Sequence, residues 1–274
     1  MTAPFATARS YLFVPGDRPD RFDKALASGA DCVVLDLEDA VAPATKAQAR
    51  DLVADSLRTR ATDDLHRFAV RINDESTAWF EADVTLLASV GVPVVMLPKA
   101  ERTETILRVR AACPGISVLP LLESARGVLH ADVLAAAPGV LRLVFGTIDF
   151  ALDLDLPGDP VGLDYAASRL ALASRAAGIA SPVAGVTAEI TDDVRLLADL
   201  ARARAHGFGA KLCIHPRQVA VLHAALLPTT AELEWARRVV TATEGNPAAV
   251  QVDGRMVDRP VLQRARALLA RAVH

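Results

Sequence analysis

The sequence predicts an α/β fold, a closed (β/α)₈ barrel with a C-terminal helical extension, and three observations favour it. Short apolar runs alternate eight times with helix-like segments along the chain, which is the pattern of a parallel sheet covered by helices. The length of 274 residues fits a single barrel of this kind. No glycine-rich fingerprint follows the first predicted strand, which disfavours an open doubly wound sheet that binds a dinucleotide.

The first four strand–helix units begin with apolar runs bounded by turn residues. The first run ends at Pro15-Gly16; Pro19 then favours a helix start and Gly29 favours its end. A continuous apolar run fits a strand that is buried on both faces of a parallel sheet. The predicted strands are residues 10–14, 32–39, 68–73 and 94–99, and the predicted helices are residues 17–28, a segment after Pro43, 78–89 and 103–112.

The last four units repeat the pattern, and the seventh strand is the weakest of them. A longer loop rich in Asp, Gly and Pro covers residues 153–162, and these residue types favour turns. The predicted strands are residues 117–123, 141–149, 181–187 and 210–216, and the predicted helices are residues 125–137, 165–177, 192–206 and 218–226.

The pattern changes after Pro228, so we expect two parts in the chain. Residues 1–227 are predicted to form the catalytic barrel, and residues 228–274 a C-terminal helical extension with helices at 231–243 and up to about 273. The extension is not needed to close an eight-stranded barrel. It is therefore expected to pack on the barrel or on a neighbouring subunit.

Composition excludes several classes of function. The net charge is −3 and the pI is near 6.1, so no basic field indicates a nucleic acid or a membrane as partner. The start of the chain has no signal-peptide pattern, and no apolar stretch reaches bilayer length. The three cysteines have no zinc-type spacing, which favours reduced, buried thiols and a cytoplasmic location.

Carboxylates close two of the predicted strands, at Glu123 and Asp149. The C-terminal ends of barrel strands converge on one face, where barrel active sites are built. A buried carboxylate is costly unless a positive group pairs with it, and two such groups can hold a hard divalent cation. Alternatively, both residues only cap the helices that follow.

Other polar residues gather at the same predicted strand ends: Asp36, Glu38, Asp39, Arg71, Asn73, Lys99 and His215. Arg71 offers a planar fork that matches a carboxylate, so we expect it to face an anionic ligand. Lys99 has either a direct role or only an ion pair with Glu123 or Glu38. Asp36 and Asp39 can accept hydrogen bonds from residues that contact the ligand, or cap the next helix, and His215 is favoured as a structural hydrogen-bonding group over a base.

Eight short motifs, taken in order, resemble the HpcH/HpaI aldolase–citrate lyase superfamily, and more closely its citrate lyase β-subunit-like branch. No single motif is specific, but the ordered set covers nearly the whole chain. The motifs are RSYLFVP (9–15), LDLEDAV (35–41) followed by Lys46 and Arg50, VRIN (70–73), MLPK (96–99), LESARG (122–127), FGTIDF (145–150), IHP (214–216) and GRMVD (254–258).

The resemblance implies a Mg²⁺-dependent carbon–carbon lyase, or the reverse condensation. Its substrate would be a 3-hydroxyacyl thioester such as citryl-, citramalyl- or malyl-CoA, and its products an acyl-CoA and a 2-oxo acid. Glu123 and Asp149 would ligate Mg²⁺, and Arg71 would meet the carboxylate or oxo group. Lys46 and Arg50 form an ordinary solvated helix face from the residues alone, but the resemblance marks both, and we place them near the CoA phosphates. A homo-oligomer, trimer or hexamer, is expected.

The acid–base residue is predicted from a departure from the family pattern. Relatives in the aldolase branch carry a His after the second strand, whereas this chain has Glu38-Asp39-Ala40. Asp258 in the extension is our candidate, supplied by a neighbouring subunit, while Asp36 and Glu38 complete the catalytic set. The sequence departs from the family pattern at two further positions, Thr147 and Ala184. Both departures leave the metal ligands intact, so they bear only on the identity of the substrate.

Three other functions stay open at this point. The chain can be the β-subunit of a multi-subunit citrate lyase that acts on a carrier-protein thioester. It can catalyse a malate-synthase-like condensation, with or without thioester hydrolysis. It can also be a barrel that has lost catalysis and only binds oxo acids, although the intact set of Arg71, Glu123 and Asp149 argues against this.

Overall fold

The computed structural model describes residues 4–158, 160–243 and 250–271. The chain divides into two compact units, Met1–Leu222 and His223–His274, and each is described by itself. No helix within the described ranges is long and apolar enough to cross a membrane.

Eight parallel strands close into a barrel in the first unit, which confirms the predicted fold class. The strands follow chain order around the barrel, and β8 pairs with β1 to complete it. They are β1 (Ser10–Pro15), β2 (Cys32–Asp36), β3 (Phe68–Arg71), β4 (Val94–Leu97), β5 (Ser117–Leu122), β6 (Val144–Phe145), β7 (Val183–Ala184) and β8 (Ala210–Cys213).

Helices follow each strand along the chain, and α1 precedes β1. Ser124 caps one of them by accepting the N–H of Gly127, and Asp192 caps another by accepting the N–H of Arg195. The helices are α1 (Pro4–Thr7), α2 (Phe22–Ala27), α3 (Lys46–Arg58), α4 (Thr62–Leu65), α5 (Phe80–Val90), α6 (Thr103–Ala112), α7 (Ala125–Leu129), α8 (Ala131–Ala135), α9 (Thr147–Asp153), α10 (Asp164–Ala176), α11 (Asp193–Ala205) and α12 (Pro216–Leu226).

The prediction of a strand over residues 141–149 was wrong at its C-terminal end. Strand β6 stops at Phe145, and α9 begins at Thr147. The N–H of Phe150 donates to the carbonyl of Gly146 at 3.0 Å, so this segment turns into a helix directly after the strand. Asp149 therefore projects from the first turn of α9 and not from a strand end.

The N-terminal end of the barrel is closed around a buried arginine. The Arg142 guanidinium donates to the carbonyls of Ala8 at 2.7 Å and Ser181 at 2.8 Å. It lies over the Tyr11 ring, 5.6 Å from the centroid. The Tyr11 hydroxyl in turn donates to the carbonyl of Phe5. The residues before β1 thus seal the end of the barrel opposite the predicted site.

The second unit has its own small core. Helices α13 (Thr230–Thr243) and α14 (Arg259–Arg271) pack with an antiparallel hairpin of β9 (Val250–Val252) and β10 (Arg255–Val257). The core side chains come from all four elements and are Ala236, Val239, Val252, Val257, Ala265 and Leu268. The hairpin was not predicted, although its Asp253-Gly254 turn, with both residues at positive φ, is a known hairpin signal.

Candidate active site

Arg71 is the centre of a polar cluster at the C-terminal ends of the first strands. Its Nε donates to Asp36 Oδ1 at 2.7 Å and its Nη2 to Asp36 Oδ2 at 2.6 Å, a two-pronged pair. Its Nη1 lies 2.8 Å from Glu38 Oε2 and 3.4 Å from Asp39 Oδ2. The guanidinium sits 4.8 Å from the centroid of the Phe13 ring. Burial lowers the pKa of Arg71, but these carboxylates outweigh burial and raise it overall.

Asp36 acts mainly on Arg71 and on its own loop. Besides holding the guanidinium, its oxygens accept the N–H groups of Glu38 at 2.9 Å and Ala40 at 3.2 Å. Both oxygens are therefore occupied. This carboxylate fixes Arg71 and the turn that carries Glu38, and its predicted place in the catalytic set stays a prediction.

Glu38 is buried, and one of its oxygens lacks a hydrogen bond. Oε2 is close to Arg71 Nη1 but is not aligned to accept its proton. Lys99 Nζ approaches Oε1 only to 4.0 Å. Burial raises the pKa of Glu38 to about 8; Arg71 opposes this rise, and the charge of Glu123 adds to it. Glu38 thus lies in a pocket with more negative charge than the nearby cations balance.

Glu123 follows β5 and is fixed from two sides. Its Oε1 accepts the N–H of Lys99 at 2.7 Å, and Lys99 adopts φ +46°, a conformation that is uncommon for a residue with a side chain. A Cβ at Gly146 would lie 2.6 Å from Glu123 Oε2, so only glycine fits there. Burial raises the pKa of Glu123 to about 7, and the charge of Asp149 contributes to the rise.

The side chain of Asp149 is half-buried and makes no hydrogen bond or ion pair within the described ranges. Glu123 and Asp149 are hard oxygen donors, and their charges repel. This donor set fits Mg²⁺, which commonly binds one or two carboxylates and completes its shell with water or substrate oxygens. No three acidic, His or Cys side chains in the described part of the chain converge to form a full ligand set.

Lys46 and Arg50 lie beside this cluster but have structural partners. The Lys46 ammonium is buried and donates to the carbonyls of Leu37 at 2.8 Å and Glu38 at 2.7 Å. Arg50 Nε donates to Asp83 Oδ1 at 2.8 Å. Burial lowers the pKa of Lys46, and neighbouring carboxylates partly restore it. Their predicted contact with CoA phosphates stays a prediction.

Asp83 was missed by the sequence analysis. It is fully buried on α5, and its Oδ2 accepts both the main-chain N–H and the side-chain amide of Asn73, at 2.8 and 2.6 Å. The available signal was its position on the apolar face of α5, between Phe80 and Leu87. An acid in that position requires buried donors, and here they come from Arg50 and Asn73.

Two further predicted residues, His215 and Asp258, are exposed. His215 is exposed, and its Nδ1 accepts the N–H of Arg217 at 3.2 Å, which fits the structural role expected for it. Asp258 belongs to the second unit, where it is exposed and its Oδ1 accepts the N–H of Val261 at 3.2 Å at the start of α14. Its predicted acid–base role stays a prediction.

Comparison with known proteins identifies the family. A family model described as HpcH/HpaI aldolase/citrate lyase matches residues 9–216. The chain belongs to this family. A second model, described as a C–C bond lyase of the TIM-barrel fold, matches residues 169–274. The resemblance deduced from the motifs is therefore confirmed, and the family is one of carbon–carbon lyases.

Relatives match along almost the whole chain. The chain is 36% identical to a (3S)-malyl-CoA thioesterase of Cereibacter sphaeroides, over 96% of this chain and 94% of that protein. It is 37% identical to a citrate lyase subunit beta-like protein of Mycobacterium tuberculosis, over 97% and 96%. The crystal structure of CitE from M. tuberculosis in complex with magnesium, acetoacetate and coenzyme A has a TM-score of 0.87 and 36% identity, covering 98% of this chain and 99% of that chain.

Proposed function

We propose that this protein is a Mg²⁺-dependent carbon–carbon lyase that acts on a 3-hydroxyacyl-CoA thioester such as citramalyl-, citryl- or malyl-CoA. It cleaves the thioester into an acyl-CoA and a 2-oxo acid, or joins the two. The observation that carries the proposal is the pair of repelling carboxylates, Glu123 and Asp149, beside Arg71 at the barrel mouth. The magnesium, coenzyme A and acetoacetate bound by the similar CitE structure support the choice of metal and substrate class.

Glu123 and Asp149 would hold the metal in this proposal. When bound, Mg²⁺ supplies Lewis acidity toward the carboxylate and hydroxyl oxygens of the substrate. Gly146 and the N–H of Lys99 fix the orientation of the Glu123 carboxylate. Asp149 stands at the start of a helix, without a protein partner in the described ranges, so its oxygens are available to a cation.

Arg71 would bind the 2-oxo acid. Asp36 occupies Nε and Nη2, whereas Nη1 makes only a long hydrogen bond to Asp39 Oδ2 at 3.4 Å, so Nη1 is the nitrogen left to donate to a substrate oxygen. A fixed cation at this point stabilises negative charge that develops on that oxygen, by roughly 3–4 kcal/mol if it acts as a typical preorganised donor. We place Glu38 in the catalytic set because its carboxylate lies beside Nη1 with one oxygen free of hydrogen bonds. Lys99, exposed next to Glu38, is proposed to bind substrate.

Asp258 is proposed as the acid–base group, contributed by a neighbouring subunit of a homo-oligomer, trimer or hexamer. The family resemblance supports the oligomer and a cytoplasmic location. In its own unit the carboxylate is exposed at the start of α14, so it is accessible to a site on another copy.

Thioester hydrolysis is the second candidate function. The observation in its favour is the 36% identity to the (3S)-malyl-CoA thioesterase over 96% of this chain. A carrier-dependent role is the third, supported by 32% identity to the citrate lyase subunit beta of Escherichia coli over 97% of this chain. Both would use the same carboxylates and Arg71. They differ from the main proposal in the reaction that the isolated chain catalyses: hydrolysis in the second case, and no turnover without partner proteins in the third.

The test is a product analysis with the lone purified chain. The protein is incubated with Mg²⁺, acetyl-CoA or propionyl-CoA, and a panel of 2-oxo acids, and products are identified by mass. We expect a 3-hydroxyacyl-CoA whose formation stops with chelator. Free CoA and a hydroxy acid would instead indicate hydrolysis, and no turnover without partner proteins would indicate the carrier-dependent role.

Variants connect the test to the site. Glu123→Ala and Asp149→Ala should each lose Mg²⁺-dependent turnover while keeping the fold. Glu104→Ala, an exposed acid on α6, is the matched control and should stay active. Full activity of the two site variants in chelator-treated buffer would show that these carboxylates do not hold the metal.

A further inference from the structure

A cavity of about 350 Å³ lies on the outer side of the barrel wall, between β7, β8 and helices α9 to α11. This volume is at the lower end of the range for small-molecule sites. The wall is mainly apolar and includes Phe145, Leu163, Ala167, Ala184 and Phe208. Lys211 lines it from β8, and Arg195 and Arg202 line it from α11.

The cavity is separate from the barrel mouth. Side chains alternate between the two faces of a strand, and Val183, Ala210 and Leu212 belong to the core inside the barrel. Ala184 and Lys211, which alternate with them, therefore face outward, toward the helices. No residue of the proposed active site lies on β7 or β8.

Lys211 is a buried cation with unused hydrogen-bonding capacity. Only 2% of the residue is exposed. Its Nζ donates to the carbonyl of Gly185 at 2.6 Å, which uses one of three N–H donors. No carboxylate in the described part of the chain forms an ion pair with this ammonium. Burial lowers the pKa of Lys211 to about 8, and the charge of Asp199 opposes this fall, so the amine still carries its charge at neutral pH.

The two partly buried acids that line the cavity, Asp199 and Asp164, are already engaged, and the third, Glu189, is exposed. Asp199 accepts from the Thr187 hydroxyl at 2.7 Å and pairs with Arg195 at 3.0 Å. Asp164 pairs with Arg202 at 2.8 Å. The residue in register with Lys211 on β7 is Ala184, whose methyl group offers no counter-charge. A buried charge without an ion pair is costly, and the protein leaves apolar space beside it.

We propose that this cavity binds a small carboxylic acid with an apolar body, whose carboxylate pairs with Lys211. The carboxylate accepts hydrogen bonds from the N–H groups of the ammonium that Gly185 leaves unused. The carbon chain fills the space lined by Phe145, Leu163 and Phe208. An apolar wall disfavours a strongly hydrated ion such as inorganic phosphate. The site goes beyond the proposed lyase reaction. Thr147 and Ile148 of α9 also line the cavity, so the occupant packs against the helix that carries Asp149.

Calorimetric titration of the metal-free full-length protein with octanoate tests this site. Removing the metal prevents octanoate from binding through it at the barrel mouth. Octanol is the neutral probe of the same chain length, and inorganic phosphate is the anion without an apolar body. We expect saturable binding of octanoate, weaker binding of octanol, and no binding of phosphate.

Two variants identify the atoms involved. Lys211→Met removes the cation and keeps an apolar chain of similar length. Ala184→Asp places a carboxylate in register with Lys211, where it should occupy the ammonium from within the protein. Each should weaken octanoate binding roughly tenfold or more, since hydrogen bonds to charged groups contribute about 1.5–3 kcal/mol. Octanol binding should change little in Lys211→Met.

The proposal is overturned if wild-type protein shows no saturable octanoate binding, or if both folded variants bind octanoate as wild type does. Thermal unfolding checks the fold of each variant. If Lys211→Met does not fold, Ala184→Asp decides alone: it is expected to unfold at a higher temperature than wild type and to bind octanoate weakly. Unchanged octanoate affinity in that variant would equally reject Lys211 as the anchoring cation.

Discussion

Replacing Arg71 by lysine tests whether the geometry of the guanidinium, and not only its charge, is needed. Arg71 makes two parallel bonds to Asp36, at 2.7 and 2.6 Å, while Nη1 stays 2.8 Å from Glu38 Oε2. A lysine has a single nitrogen, so it cannot hold Asp36 through two bonds and also present a donor to the substrate. The site should keep its positive charge but lose the N–H group that is oriented toward the substrate.

The expected magnitude follows from these contacts. Losing one charge-assisted hydrogen bond to Asp36 costs about 1.5–3 kcal/mol. Losing a preorganised donor at the reacting oxygen typically lowers kcat by about 10²–10³-fold. We therefore expect kcat/KM of Arg71→Lys to fall by at least about 10²-fold. The fold should persist because a positive charge still faces the three carboxylates.

The assay is steady-state turnover of the CoA thioester identified above, at saturating Mg²⁺. Arg67→Lys is the matched control, because Arg67 stands just before the same strand, at its other end, and donates to the carbonyls of Leu26 and Ala30. It should retain wild-type activity. Near-normal turnover of Arg71→Lys at saturating substrate would remove Arg71 from direct contact with the oxo acid.

Four further outcomes are expected. Glu123→Ala should lose calorimetric Mg²⁺ binding; a wild-type binding curve would assign the metal elsewhere. The double variant Lys46→Met/Arg50→Met should raise the KM for the thioester and weaken the dependence of KM on salt. An unchanged KM together with lower stability would show that both residues have only a structural role. Mixing inactive Asp258→Asn chains with inactive Glu123→Ala chains should restore partial activity; no recovery after verified subunit exchange would exclude action across an interface. Lys211→Met should raise the urea-unfolding free energy at pH 7 by up to roughly 3 kcal/mol; because the native pKa near 8 lies below the unfolded value of 10.5, this gain should shrink as pH rises from 8 to 10.5, and a pH-independent gain would contradict it.

The sequence predicted the barrel because the strand signal is strong where it is repeated in long apolar runs such as β2 and β5. The prediction of strand ends was less reliable at β6 and β7, which have two residues each. The ends of such short strands are determined by main-chain hydrogen bonds to the neighbouring strands and not by local composition. The turn into α9 at Gly146 depends on the close approach of Glu123, a contact between distant parts of the chain that no local pattern contains.

The sequence predicted which residues form the candidate site, but it did not predict which acid each arginine pairs with. Arg71 and Glu123 were expected at strand ends, and the structure places both there. That Asp36 would occupy two of the three nitrogens of Arg71, or that Arg50 would pair with Asp83, could not be predicted, because several acids are available to each arginine in the sequence. The choice depends on the register β2–β3 and on how α3 and α5 pack together.

The seal at the N-terminal end of the barrel has an implication for sequence change. Arg142 donates mainly to main-chain carbonyls, those of Phe5, Ala8 and Ser181. Every residue type carries such a carbonyl, so substitutions at those three positions leave the acceptors in place. Arg142 has no comparable substitute, because lysine lacks the fork that reaches separate carbonyls. We therefore expect Arg142 to tolerate no substitute and the exposed Ser181 to accept many side chains, whereas Phe5 and Ala8 are constrained by the packing of their buried side chains and not by the hydrogen bonds.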